Sequence, residues 1–230
     1  EYFEENKIDI AVHSFKDVTS KLPDALELSA FLKPESSFDC LIIRSDLSEL
    51  SETAVIGTGS RRRQMQLKAD QPKYQFKDIR GNIQTRIAKL ESGDYDGIIL
   101  SEAGLIRLDL EDKISKRFSS TEMVPAPGQG VIALESVKEN KEIYDLCSQI
   151  TDKEHTPIAK LEWCILQEVG LNCNYPFGVY IKPNLTGFDV DLFIGNLEMT
   201  KSKRKTYYFA SETAGSQMRA LGKELKKWLS

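Results

Sequence analysis

Short apolar segments alternate with helical segments through the first two thirds of the chain, and this order restricts the possible fold more than any other feature. The run IDIAV at 8–12 is typical of a strand that is buried on both faces. Ile83, Ile87 and Leu90 lie at helical spacing and predict a helix that ends at Gly93. Strands separated by helices of this length predict parallel βαβ units with right-handed crossovers. Further strands are predicted at 25–32, 40–45, 54–60, 74–80 and 131–136, helices at 60–70 and 138–150, and a strand passing into a helix or turn at 96–108.

The last third of the chain has a different pattern. VPAPGQG at 124–130 contains two prolines and two glycines, which predict a loop that crosses between two lobes. Helices are predicted at 156–169 and 213–229. Between them, FDVDLFIGNLEM at 188–199 alternates apolar and polar residues, as a half-exposed antiparallel strand does. With the strand-like runs FGVYIKP and KRKTYYFAS on either side, it predicts a small α+β domain with a three-stranded antiparallel sheet.

Composition excludes several classes of protein. The 230 residues are 40% hydrophobic with a formal net charge of −4, which a disordered chain would not show. No apolar run reaches the roughly 18 residues that suggest a membrane span. The four cysteines form no C-x-x-C pair and there are two histidines, so neither a disulfide framework nor a metal site is expected. A pI near 5.4 argues against a general nucleic-acid binder.

A short polar motif, His13-Ser14-Phe15-Lys16-Asp17, comes directly after the first predicted strand. Open α/β sheets bind ligands at this end of their strands. An aspartate beside a lysine in a cleft is suited to general acid-base catalysis or to stabilising a developing positive charge. A solvated loop with a local charge pair is the alternative that the spacing leaves open.

A second motif is rich in arginine. The glycine turn at 57–59 leads into Ser60, the expected N-cap of a helix, and then into Arg61, Arg62 and Arg63. Helix N-termini attract anions, and arginine adds bidentate recognition of carboxylate or phosphate groups. A solvated helix face with arginines extending into water is the alternative.

Further arginines follow the other predicted strands. Arg80 ends one strand, Arg86 lies on the first turns of the next helix, and Arg107 follows a third strand. If the strands are parallel neighbours, these side chains converge with Arg62 and Arg63 at one edge of a cleft. In a chain of net negative charge, this cluster predicts a focused site for a polycarboxylate or phosphate ligand.

The cysteines differ in their surroundings. Cys173 lies in a polar loop before a predicted strand, where a thiol is accessible. Cys147 and Cys164 lie in helical segments and are interpreted as structural, and Cys40 stands at a strand start. An uninvolved loop thiol is the alternative for Cys173.

Together these segments resemble one family, the porphobilinogen deaminases, also called hydroxymethylbilane synthases. Matching blocks occur in family order from the first residues to Gly178: IDIAVHSFKDV, GTGSRRRQMQL, IRGNIQTRIAKLESGDYDGIILSEAGLIRLDLED, VPAPGQGVIALE and CNYPFGVY. The resemblance implies two periplasmic-binding-protein-like α/β domains, the first incomplete, and a small C-terminal α+β domain with a three-stranded antiparallel sheet.

The resemblance also implies domain boundaries. Domain 1 would comprise 1–32 and 129–148, domain 2 would comprise 36–124, and domain 3 would comprise 152–230. The two crossings near 33–37 and 124–130 would form a hinge. Family members open with a segment of roughly sixty residues before the first block matched here, so the sequence is expected to lack part of domain 1.

A reaction and a cofactor are implied as well. Four porphobilinogen molecules would be joined head to tail, with loss of ammonia, on a covalent dipyrromethane primer held by Cys173, as a step of tetrapyrrole (heme) biosynthesis. Asp17 matches the catalytic carboxylate of the family. The residues expected to bind the primer are Lys16, Ser60, Arg62, Arg63 and Arg80, and those expected to bind substrate are Arg86, Arg107, Thr58 and Gln129.

The implied small-molecule partner is porphobilinogen, and the protein is expected to be a cytoplasmic monomer that binds neither nucleic acid nor membrane. Its product would pass to uroporphyrinogen III synthase. Two other hypotheses are a fragment or paralogue that binds polycarboxylates without turnover, and a nucleic-acid binder acting through 61–63, which the pI disfavours. Two departures from the family pattern are Leu171-Asn172, where the family has Gly-Gly, and Arg61, where it has an apolar residue.

Overall fold

The computed structural model describes residues 3, 5, 7–171 and 175–229, whose strands form three sheets of three, five and three strands. The strands are β1 (Ala11–Ser14), β2 (Leu26–Phe31), β3 (Asp39–Ile43), β4 (Val55–Gly57), β5 (Gln75–Lys77), β6 (Gly97–Ser101), β7 (Lys116–Arg117), β8 (Ile132–Val137), β9 (Phe177–Pro183), β10 (Gly187–Gly195) and β11 (Ser202–Ala210). The α-helices are α1 (Arg61–Asp70), α2 (Ile83–Lys89), α3 (Glu102–Ile106), α4 (Lys141–Ile150), α5 (His155–Val169) and α6 (Ala214–Leu229). The predicted mixed α/β class with a separate antiparallel sheet is confirmed.

The first sheet, sheet A, has the strand order β1-β8-β2, and both of its strand pairs are antiparallel. The expectation of parallel strands is therefore wrong for this part of the chain. The expected strand at 8–12 begins instead at Ala11, and it lies at the edge of the sheet, where Val12 is 68% exposed. An apolar run by itself does not distinguish a central strand from an edge strand.

The second sheet, sheet B, has the order β5-β4-β6-β3-β7. Strand β4 is parallel to both β5 and β6, as the alternation with α1, α2 and α3 predicts. Strand β3 runs antiparallel to β6 and β7. No helix lies between β3 and β4, so the chain lacks the crossover that a parallel connection needs. The short strand β7 is not predicted by the sequence.

Helix caps place the arginine motifs at the ends of these strands. The Ser60 side chain accepts a hydrogen bond from the Arg63 backbone N–H at 3.4 Å, which confirms it as the N-cap of α1. The Asn82 side chain caps α2 by accepting from the Thr85 N–H at 2.8 Å. Gly93, with φ of 90°, ends the turn after α2 as expected, because glycine adopts the left-handed conformation without a steric cost.

The third sheet, sheet C, has the order β11-β10-β9 and is antiparallel throughout. Helices α5 and α6 pack against one another and against this sheet. The fully buried side chains of Ile165, Met218 and Leu225 meet Leu192 and Ile194 of β10 in a common core. This confirms the predicted small α+β unit.

The chain passes between sheets A and B twice, at 32–38 and again at 119–131. These two crossings touch, because a Cβ added at Gly130 would lie 2.1 Å from the Ser36 carbonyl oxygen. The second crossing also contacts sheet C, where the Val179 N–H donates to the Pro125 carbonyl at 3.0 Å. The domain boundaries stay a prediction. Within the described ranges, no helix combines the length and apolarity needed to cross a membrane.

Candidate active site

Two cavities meet where the three sheets come together, with volumes of about 460 and 560 Å³. They share Lys16, Asp17 and Arg63. The first cavity is also lined by Ser60, Arg62, Gln129, Leu171 and Tyr175, and the second by Asn82, Arg86, Ser101, Arg107 and Gly130. The arrangement brings together residues from all three sheets around one lysine and one aspartate.

The turn that carries Lys16 and Asp17 is held by its neighbour Phe15. Residues Phe15–Asp17 form a single 3-10 turn directly after β1. The Phe15 ring is buried edge-on against Phe31, with centroids 5.0 Å apart, and a Cβ at Gly128 would lie 2.4 Å from the Phe15 ring. Because Phe31 and Gly128 both pack against the Phe15 ring, the backbone that carries Lys16 and Asp17 is held in place.

Lys16 lies near Arg63 and Asp17. Burial lowers the pKa of Lys16 to about 8, and the nearby Arg63 acts in the same direction. Asp17 opposes this effect by stabilising the charged amine. The amine is therefore mostly protonated at neutral pH, but it loses its proton more readily than an ordinary lysine.

Arg62 and Arg63 are both bonded to a buried carboxylate, Asp39, which the sequence reasoning missed. Arg62 Nη1 lies 2.7 Å from Asp39 Oδ2, and Arg63 Nη2 lies 2.7 Å from Oδ1. Burial alone would raise the pKa of Asp39, but the two guanidiniums outweigh this effect and hold the pKa at about 2. Two guanidiniums share one carboxylate, which leaves one unit of positive charge at the cavity wall. The signal in the sequence is an aspartate at the head of the apolar run DCLII.

Gln129 belongs to the same cluster. Its amide nitrogen donates to Asp39 Oδ1 at 3.0 Å and to the Ser37 carbonyl at 2.8 Å. It thus joins the second crossing to the first, and it also lines the first cavity. Thr58 is fully buried, accepts from the Ser60 N–H at 3.2 Å, and lines neither cavity. Thr58 therefore supports the glycine turn between β4 and α1, and its role in substrate binding stays a prediction.

The remaining arginines divide into two groups. Arg86 and Arg107 line the second cavity, where Arg86 Nε donates to the Gly81 carbonyl at 2.8 Å and Arg107 Nη2 to the Gly130 carbonyl at 2.6 Å. Burial lowers the pKa of Arg86, with Arg63 adding to the effect. Arg80 is exposed and lines neither cavity, because it follows β5 at the outer edge of sheet B. The expected convergence thus includes four of the five arginines.

Cys173 lies outside the described residues. Leu171 and Tyr175, the described residues nearest to it on either side, both line the first cavity. Leu171 is buried, so the position that departs from the Gly-Gly of the family forms part of the cavity wall.

A second buried carboxyl was also missed. Glu162, on α5, accepts a hydrogen bond from the Gly128 N–H at 2.7 Å, next to the Phe15 ring. Burial raises the pKa of Glu162 to about 8, although the N–H groups of Gly128 and Ile181 act in the opposite direction. Glu162 is therefore mostly neutral at pH 7. A glutamate on the buried face of an amphipathic helix is the only signal of it in the sequence.

Comparison with known proteins assigns the family. Residues 1–145 match the family model described as porphobilinogen deaminase, dipyromethane cofactor binding domain. The chain is 43% identical over 182 residues to a probable porphobilinogen deaminase of Picrophilus torridus, covering 78% of this chain and 63% of the relative. It is 37% identical over 206 residues to the porphobilinogen deaminase of Coxiella burnetii, covering 90% of this chain and 67% of the relative.

The chain belongs to the porphobilinogen deaminase family. It spans about two thirds of the length of these two relatives. Among solved structures it is similar to a substrate-binding domain of a putative amino acid ABC transporter from Streptococcus pneumoniae. That match has 14% identity, covers 70% of this chain and 72% of the other, and has a TM-score of 0.41.

The cavities fit the cofactor named in the family model. A dipyrromethane carries several carboxylates, so its site needs cations together with a nearby thiol. The first cavity is lined by Lys16, Arg62 and Arg63, and also by Leu171 and Tyr175, which flank Cys173 in the sequence. Among the residues that the structure describes, no group of His, Cys, Asp and Glu side chains forms a metal site.

Replacing Asp39 tests the buried cluster. Asp39→Asn leaves two buried guanidiniums without a counter-charge, and we expect the free energy of unfolding to fall by about 3–5 kcal/mol. Urea denaturation measures this change. Asp70→Asn, at the exposed end of α1, is the control and should change it by less than about 0.5 kcal/mol. Equal effects in the two variants would show that Asp39 is not needed to hold the arginines.

Replacing Glu162 tests its burial as a neutral acid. Unfolded, Glu162 titrates near its ordinary pKa of 4.5, and folded at about 8. Between these values the unfolded chain has lost a proton that the folded chain keeps, so stability falls as the pH rises, by at most about 1.4 kcal/mol per pH unit. Glu162→Gln keeps an acceptor for the Gly128 N–H but does not titrate.

The gain in stability of Glu162→Gln over the unmodified protein should therefore be larger at pH 8 than at pH 5 in urea denaturation. Glu139→Gln, at an exposed position, serves as the control. A constant difference between Glu162→Gln and the unmodified protein across this range contradicts the neutral, buried state.

Proposed function

We propose that this chain is a hydroxymethylbilane synthase that joins four porphobilinogen molecules head to tail with loss of ammonia, in heme biosynthesis. The observation that carries the proposal is the position of Asp17. It lies at the junction of two cationic cavities, and the first of these is bordered by residues that flank Cys173. Membership of the family supports the same reaction.

Asp17 is the proposed catalytic carboxylate. Each addition requires that the leaving amine be protonated, that positive charge on the pyrrole be stabilised, and that a proton leave the attacked pyrrole carbon. A single carboxylate that reaches both cavities can serve all three needs. Lys16, adjacent to Asp17 and partly desolvated, keeps the local potential positive beside it.

The cationic residues are the proposed carboxylate-binding groups. Each porphobilinogen brings an acetate and a propionate side chain, so a growing chain adds two negative charges per step. In the first cavity, these carboxylates would bind to Lys16 and to the one net positive charge that Arg62 and Arg63 keep after pairing with Asp39. In the second cavity they would bind to Arg86 and Arg107. When bound through the Cys173 thiol, the dipyrromethane supplies the pyrrole carbon to which substrate is added. Arg80 would need to move to take part.

We also propose that the protein acts as a monomer in the cytoplasm and releases its product to uroporphyrinogen III synthase. The alternative is binding of polycarboxylates without turnover, which the same cavities would support. A nucleic-acid function through 61–63 is disfavoured, because Arg62 and Arg63 are buried against Asp39 and Arg61 donates to the Leu197 carbonyl at 2.9 Å.

Covalent loading of Cys173 decides between catalysis and simple binding. After incubation with porphobilinogen, intact-mass measurement should show an adduct of two pyrrole units, and Ehrlich's reagent should colour it. Cys173→Ser should abolish the adduct, whereas Cys164→Ser, on the half-buried thiol of α5, should retain it. An unmodified Cys173 under these conditions would falsify the enzymatic proposal for this chain.

Asp17→Asn tests the catalytic carboxylate. The amide cannot act as a general acid or base at neutral pH, so we expect turnover to fall by at least about a hundredfold while the thermal unfolding temperature is unchanged. Hydroxymethylbilane formation measures the rate, and Asp24→Asn, in an exposed loop, is the control. Near-normal turnover in Asp17→Asn would remove Asp17 from the proposed role.

Arg86→Leu tests the second cavity. Loss of a charged hydrogen-bond donor to a carboxylate should raise the KM for porphobilinogen by at least about tenfold. Arg80→Leu should have a smaller effect, because its side chain is outside both cavities. If the two variants raise the KM equally, the second cavity is not the place where substrate carboxylates bind.

A further inference from the structure

One arginine of sheet C reaches across to the helix that carries the site arginines. Arg204 lies on β11 directly opposite Phe193 of β10, and its guanidinium lies over the Phe193 ring at 6.0 Å. Nη2 donates to Gln66 Oε1 at 2.6 Å and to the Glu122 carbonyl at 2.8 Å. Nη1 donates to the Thr121 carbonyl at 2.7 Å. One side chain thus binds α1 and the start of the second crossing together.

Further hydrogen bonds connect Gln66 to Arg62 at the wall of the first cavity. The buried amide of Gln66 accepts from the Val124 N–H at 2.8 Å and donates to the Val124 carbonyl at 3.1 Å. That carbonyl also accepts from Arg62 Nη1 at 2.8 Å, and Arg62 in turn binds Asp39. A continuous series of hydrogen bonds therefore connects sheet C to the cationic wall of the first cavity.

Helix α1 contacts both sheet C and Asp39. Arg61 donates to the Leu197 carbonyl, and a Cβ at Gly195 would lie 2.5 Å from the Met65 sulfur, so backbone and helix are in close contact there. Arg62 and Arg63 lie on the neighbouring face of the helix, where they bind Asp39. A shift of sheet C against α1 would consequently change the distance between Arg62 or Arg63 and the other residues that line the first cavity.

We propose that Arg204 is a positioning residue that fixes sheet C against α1, and so sets the distance between the cationic residues Arg62, Arg63 and Lys16 and the cavity-lining residues Leu171 and Tyr175, which flank Cys173 in the sequence. The effect of Arg204 on catalysis rests on the proposed function, whereas its effect on the position of sheet C does not. The guanidinium is suited to this role because its planar array of donors can bind three carbonyl-type acceptors at once, which an ammonium group does with less directional control.

The test compares three variants of the whole chain. Arg204→Met removes the guanidinium but keeps an unbranched side chain over Phe193, and Arg204→Lys keeps the charge. Lys205→Met is the matched control, since it removes one positive charge from the next residue, whose amine lies over the Tyr207 ring at 4.7 Å instead of on α1.

Hydrogen exchange at the Val124 amide is the first measurement, because that N–H donates to Gln66 Oε1. We expect exchange in Arg204→Met to be about tenfold faster, the effect of losing a hydrogen bond to a charged group, with partial recovery in Arg204→Lys and no change in Lys205→Met. Unchanged exchange in Arg204→Met overturns the proposal.

The rate of covalent loading at Cys173 is the second measurement, made well below the unfolding temperature of each variant. Loading should be slower in Arg204→Met, intermediate in Arg204→Lys and normal in Lys205→Met. A normal rate in Arg204→Met overturns the positioning role even where exchange is faster. If the unmodified protein takes up no adduct, the proposed function fails, and the exchange measurement alone decides whether Arg204 fixes sheet C against α1.

Discussion

The buried carboxylate of Asp39 is the interaction on which the rest of the structure depends. It stands at the first position of β3, directly after one crossing, and binds two arginines from α1 and an amide from the other crossing. A buried charge that loses one partner is strongly destabilising, so these elements cannot separate without a large cost in free energy. The segments predicted to form a hinge are therefore tied together at their centre.

A second carboxyl, Glu162, holds the same crossing from the side of sheet C. The two groups bind adjacent residues, since Glu162 accepts from Gly128 and Asp39 accepts from Gln129. Their surroundings give them opposite charge states, because Asp39 has two guanidinium partners and Glu162 has backbone N–H donors in an otherwise apolar environment. The loop is thus fixed by one ionic and one neutral contact, and Phe15, which precedes Lys16 and Asp17, packs against it.

The cationic site is assembled from parts that are far apart in the sequence. Lys16 comes from the turn after β1, Arg63 from α1 and Arg107 from the segment after α3. Arg63 and Arg107 are already held by hydrogen bonds to the protein, so little reorganisation would be required for the proposed binding of a ligand carboxylate. Preorganised charges in a partly desolvated cavity bind anions better than the same charges on flexible surface side chains.

Local patterns in the sequence were sufficient for most of the helices, the cap at Ser60, and the three strands of sheet C, because hydrophobic periodicity and capping act within a few residues. The motifs also indicated the position of Asp17 and most of the arginines. The tertiary structure alone decided that sheet A is antiparallel, that Arg80 stays outside the cavities, and that Asp39 and Glu162 are buried. Strand order, burial and the pairing of charged residues all depend on contacts between segments that are distant in the chain. A short window of sequence does not contain those contacts.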